Sequence, residues 1–87
     1  MEQNTRFNIY DTNNNHIAYG RMTSNRQFSV FNLQNNYISY GIFTNSTQFS
    51  TYQADNNEYI SYGRMLDSRR FNIWDLNNNY ISFGITI

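Results

Sequence analysis

The sequence predicts an all-β fold: four tandem β-hairpin repeats of about 21 residues, arranged as an eight-stranded antiparallel meander that closes into a barrel or curls strongly. Three observations carry this. Phe7, Phe28, Phe49 and Phe71 are spaced 21, 21 and 22 residues apart, and Gly20, Gly41, Gly63 and Gly84 are spaced 21, 22 and 21. Apolar residues alternate with a period of two, as in Phe7-x-Ile9 and Ile17-x-Tyr19, and no stretch has the spacing of an amphipathic helix. Asn-rich breaks separate the alternating runs, and Asn tolerates the left-handed conformations that tight turns need.

Taken in order, Met1 to Thr5 reads as a short frayed lead-in, with Thr5 the earliest start for a strand. The 87 residues form a single domain whose repeats run 5–25, 26–46, 47–68 and 69–87. Each repeat has a Phe, an aromatic three residues on, an Asn-rich turn, an Ile, an aromatic and a Gly; the extra residue of the third repeat falls in its turn, at Glu58. Asp11 to Asn15 is the first such turn, and Ser24-Asn25, Asn45-Ser46 and Asp67-Ser68 are expected as two-residue turns between repeats.

These turns imply a register. Tyr10 joined to His16 puts Ile9 opposite Ile17 and Phe7 opposite Tyr19, and the next turn puts Tyr19 opposite Val30. One face then collects Phe7, Ile9, Ile17, Tyr19 and their counterparts as the core. The other carries Asn8, Ala18, serines and the glycines, flanked by Tyr10, His16, Trp74 and their counterparts. The stagger is two residues per repeat, about eight over four repeats, which is the shear that eight tilted strands need to close. The difficulty is volume: so many Phe, Ile and Tyr side chains crowd a closed interior, and an open sheet completed by a second copy would relieve it.

Composition narrows the function. A chain this short buries only about 60–65% of its unfolded surface, and with no Cys it has no disulfide or thiolate site to add stability, so association into a homo-oligomer is expected. Formal net charge is zero and all six cationic residues are Arg, which removes the basic excess of a duplex nucleic-acid binder. No apolar run approaches a membrane span, and the N-terminus lacks the basic-then-apolar pattern of a secretion signal; no compartment is assigned.

Enzymatic chemistry is not expected. The one histidine, His16, aligns with Tyr37, Tyr59 and Tyr80 and lacks the partners a general base requires. The carboxylates Asp11, Asp55, Glu58, Asp67 and Asp75 all fall in turns, and nothing places two of them across a cleft. Asp11-Thr12-Asn13-Asn14-Asn15 and Asp75-Leu76-Asn77-Asn78-Asn79 match the opening of a calcium loop, but its Gly and closing Glu are missing and Asx turns account for the same residues; no metal and no cofactor is assigned.

The positive expectation is recognition through an aromatic and amide surface. Sugars bind with their C–H faces on aromatic planes and their hydroxyls on amides and hydroxyls. The repeated Tyr10, Tyr52, Tyr59, Trp74 and Tyr80, with Asn8 and Asn72 beside them, form such a ligand-binding face, and repetition adds avidity on a polymer. The alternatives are a self-assembling fibre, coat or matrix subunit, with Arg21, Arg64, Arg69 and Arg70 as gatekeepers, and a small module that binds a protein surface. The hairpin-plus-Gly period is similar to clostridial toxin and cell-wall-binding repeats, without their Gly-Trp and paired-Tyr signatures. It is also similar to the Tyr-Asp repeats of Rhs-type shells, whose turn Gly is Asn here. A turn flanked by aromatics is generic, and no family is assigned from it.

Overall fold

The computed structural model describes residues Met1–Ile87. It contains β1 (Arg6–Asp11), β2 (His16–Met22), β3 (Gln27–Asn32), β4 (Tyr37–Phe43), β5 (Gln48–Gln53), β6 (Tyr59–Met65), β7 (Arg70–Asp75) and β8 (Tyr80–Thr86), with no helix. Each strand pairs antiparallel with its neighbours in the chain, and β8 pairs with β1, so the sheet closes into a barrel. Closure leaves no free edge strand.

The stagger matches the expected one. Phe7 pairs with Gly20, and Gly20 pairs with Val30, the counterpart of Ile9 one hairpin on. The same step of two recurs at the closing junction, where Asn72 pairs with Phe83 and Phe83 with Tyr10.

The facing of the even-numbered strands differs from the expectation. Tyr10 does lie opposite His16, but Ile17 then has no partner and Ile9 pairs with Ala18. This one-residue bulge recurs in the other hairpins, between Val30 and Phe31, Thr51 and Tyr52, and Ile73 and Trp74. The turns between hairpins are also one residue longer than expected: Thr23 N–H and hydroxyl both donate to Gln27 O, leaving Ser24 to Arg26 as the turn. Both irregularities slide each even strand by one residue against both its neighbours. That turns over its side chains while preserving the stagger between odd strands.

This inversion removes the volume problem. Even strands turn Ala18, Ser39, Ser61 and Ser82 inward, followed by the four glycines and then Met22, Phe43 and Met65; Ile17, Tyr19, Arg21 and their counterparts point out. Odd strands contribute Phe7 and Ile9, Phe28 and Val30, Phe49 and Thr51, and Phe71 and Ile73. Small residues on one set of strands make room for large ones on the other. Thr51, where the other hairpins have Ile or Val, is buried and its hydroxyl bonds the hydroxyl of buried Ser61.

At mid-barrel the four Phe rings close a pinwheel. Phe7 and Phe28 meet edge to face at 5.4 Å, Phe28 and Phe49 at 5.2 Å, Phe49 and Phe71 at 5.4 Å, and Phe71 and Phe7 at 5.2 Å, with interplanar angles of 85–87°. Such pairs add about 0.5–1.5 kcal/mol each beyond burial. Every ring lies on the glycine of its own hairpin: a β-carbon at Gly20, Gly41, Gly63 or Gly84 would collide with ring carbons of Phe7, Phe28, Phe49 or Phe71. None of these glycines has a positive φ, so they are needed for space rather than backbone freedom.

The lead-in is also more ordered than a frayed end. Asn4, at φ 71°, donates its N–H to Met22 O, Met22 N–H donates to Thr5 O, and the Met1 side chain packs against the core beside Met65.

Candidate functional site

The outer wall carries the candidate site, and its local chemistry begins in the Asn-rich turns. Asp11 Oδ1 accepts the N–H groups of Asn13 and Asn15, Asn32 Oδ1 those of Gln34 and Asn36, and Asp75 Oδ1 those of Asn77 and Asn79, all at 2.9–3.0 Å. The backbone N–H of Asn15, then its side chain, holds the Asp11 carboxyl below its ordinary pKa; the backbone N–H of Asn79 does the same for Asp75. In each turn one Asn is left-handed: Asn14, Asn35, Asn57 and Asn78 have φ of 67°, 70°, 61° and 67°.

Three of these asparagines also hold a tyrosine. Tyr19 Oη donates to Asn35 Oδ1 at 2.6 Å, Tyr40 to Asn57 at 2.8 Å and Tyr62 to Asn78 at 2.5 Å. At the fourth junction, where β8 meets β1, the corresponding ring is Phe83, which has no hydroxyl; it is buried on the outer wall beneath the Arg70 guanidinium, 4.7 Å from the ring centroid.

Each of these four rings stacks on an aromatic of the next strand: Tyr19 on Phe31, Tyr40 on Tyr52, Tyr62 on Trp74 and Phe83 on Tyr10, at 5.3–5.8 Å with planes within 22°. A tilted third ring completes each set, namely Tyr37, Tyr59, Tyr80 and His16 respectively. The wall thus bears four aromatic triads, separated by Asn8, Ser29, Ser50 and Asn72.

The residues singled out from the sequence fall on this wall but not at one point. Trp74 and Tyr80 share a triad with Asn72 beside it, Tyr80 Oη lying 3.5 Å from Asn72 Oδ1. Tyr52 and Tyr59 share another; Tyr10 sits in the triad of Phe83 and His16, and Asn8 lies beside Tyr19. Tyr10, Tyr52 and Trp74 are the middle rings, with an aromatic neighbour on both flanking strands, whereas Tyr37, Tyr59 and Tyr80 are more exposed.

Two concavities open at equivalent positions of two hairpins. One, of about 390 Å³, lies across β1 and β2: Phe7 and Gly20 form its floor, Asn8 and Tyr19 its wall, and Arg6 and Arg21 its rim. The other, of about 240 Å³, crosses β5 and β6, with Phe49 and Gly63, Ser50 and Tyr62, and Gln48 and Arg64 at the equivalent positions. Two strands lie between them in either direction round the barrel, so they open on opposite sides. Sequence reasoning missed Tyr19 and Tyr62, which alternation alone assigned to the core. The signal that identifies them is the pairing of small residues, Ala18 or Ser61 with Gly20 or Gly63, in the opposite phase of the same strand.

Comparison with protein-family models, curated proteins and solved structures finds no match.

Proposed function

We propose that this protein is a non-catalytic carbohydrate-binding module that recognises its ligand on the outer wall of the barrel. The observation that carries this reading is the set of four aromatic triads alternating with Asn and Ser side chains, two of which flank concavities of monosaccharide scale. Aromatic planes take the C–H faces of a sugar, and the amides and hydroxyls beside them take its hydroxyls. Several weak sites around one barrel engage a polymer with avidity.

The single Trp makes the reading testable. Trp74 belongs to one triad, so titration with a panel of polysaccharides is followed by its fluorescence and by the mass of the complex in light scattering. One polysaccharide that perturbs Trp74 and adds mass supports the reading; a panel without effect on either overturns it.

Self-assembly is the second reading, favoured by Ile17, Ile38, Ile60 and Ile81, which the bulges turn outward at 37–43% exposure. Strand addition is not open to a closed barrel, so copies would meet through these side chains. Growth of mass over a hundredfold concentration range without any sugar is its signature.

A further inference from the structure

The geometry points to an acidic saccharide as the ligand of the β1–β2 groove, with its carboxylate between Arg6 and Arg21. This rests on the carbohydrate reading above and narrows it to sugars bearing a carboxylate, with a second, weaker site of the same kind at the β5–β6 groove.

Arg26 donates to Phe43 O and Arg70 lies over Phe83, so both have roles within the fold. Arg6, Arg21 and Arg64 are exposed. Arg6 and Arg21 are directly paired across β1 and β2, and like charges in opposed positions are unfavourable unless an anion lies between them. No Asp or Glu lines either groove; Ile87, whose N–H donates to Arg6 O, also lines the first. A carboxylate suits a pair of guanidinium groups better than a neutral hydroxyl does, because charge-assisted bonds are roughly twice as strong as neutral ones.

The rest of the groove suits a sugar ring rather than a bare anion. Tyr19, held upright by its bond to Asn35 and backed by Phe31, presents an aromatic wall, and the Asn8 amide is placed for hydroxyls. The volume lies within the range of small-molecule sites. At the β5–β6 groove Gln48 replaces Arg6, Ser50 replaces Asn8 and the volume is smaller, so one guanidinium, Arg64, serves where two serve in the first. In the other two hairpins Ile42 and Ile85 stand in place of Arg21 and Arg64. The charged grooves are therefore two, unequal and on opposite sides.

The test uses trigalacturonate, its fully methyl-esterified form, which keeps the ring and loses the charge, and inorganic phosphate. Binding is followed by chemical shifts of the backbone amides of the intact chain. The expected result is trigalacturonate binding with shifts centred on Asn8, Tyr19 and Arg21, weaker shifts at Ser50, Tyr62 and Arg64, and little binding of the ester. Arg21→Gln weakens the first site by roughly tenfold, the scale of one charge-assisted bond, and leaves the second unchanged. Arg64→Gln does the reverse, and the unchanged site in each variant reports that the barrel is folded. Equal binding of acid and ester, or indifference to both substitutions, overturns the acidic specificity while leaving the carbohydrate reading intact. Phosphate binding as tight as trigalacturonate overturns the saccharide assignment of the groove. Failure of trigalacturonate while a neutral polysaccharide moves Trp74 overturns this inference alone; failure of every sugar overturns both.

Discussion

The Phe28 ring lies on the backbone of Gly41 so closely that a β-carbon there would fall inside three of its ring carbons. Since Phe28 also meets Phe7 and Phe49 edge to face, it cannot retreat without disturbing the pinwheel. Gly41→Ala is therefore expected to destabilise the barrel by about 1–3 kcal/mol, the usual scale of overpacking. Chemical denaturation reads this as a lower midpoint at unchanged slope. Gly41→Ala with Phe28→Leu, which frees ring volume, recovers part of the loss.

Asn35 has two tasks that substitution separates. Its φ of 70° costs an ordinary L-residue roughly 1–2 kcal/mol, and its side chain accepts the Tyr19 hydroxyl. Asn35→Gly removes only the hydrogen bond, whereas Asn35→Ala removes the bond and adds backbone strain. Thermal melts should rank wild type above Gly and Gly above Ala. Phe83→Tyr offers the converse: a hydroxyl at the one junction where Asn14 has no tyrosine, with melting unchanged or raised.

Thr51 and Ser61 are a polar pair at a level where the first hairpin has Ile9 and Ala18. Thr51→Val leaves the Ser61 hydroxyl buried and without that partner, at an expected loss of about 1–3 kcal/mol. Thr51→Ile with Ser61→Ala copies the first hairpin and should regain that loss, which denaturation of the single and double variants measures.

Asp11 and Asp75 both have folded-state pKa values below their ordinary ones, because turn N–H groups bond the charged form. Their contribution is complete above the unfolded value of about 4 and is lost as pH falls through the lower folded value. Stability should therefore fall as pH drops below about 4. Asp75→Asn, which keeps the Oδ1 acceptor as Asn32 does in the second turn, should flatten that dependence in melts between pH 2 and 5.

Fold class, closure and stagger were legible in the sequence because the Phe and Gly positions repeat at nearly constant spacing, and spacing sets register step by step. The inside and outside of the even strands were not. Ile17 and Tyr19 are apolar and alternate, so periodicity alone places them in the core. What decides otherwise is the space left by four Phe rings, which only Ala18, Gly20 and their counterparts fit. That is a property of the closed barrel and not of any one strand. The aromatic wall was foreseen at Tyr10, Tyr52, Tyr59, Trp74 and Tyr80, but the grooves depend on the inverted strands and so remained out of view.

The junction between β8 and β1 has five paired residues, as the junctions within hairpins do, and Ile87 N–H bonds Arg6 O across it. In pairing, the barrel is a continuous circle that the polypeptide happens to cut at one place. Joining Ile87 to β1 through the Met1–Thr5 segment and opening the chain instead at Ser24 to Arg26 would keep every ladder. A circular permutant of that design should fold to the same barrel, with the order of the hairpins rotated and none of them first.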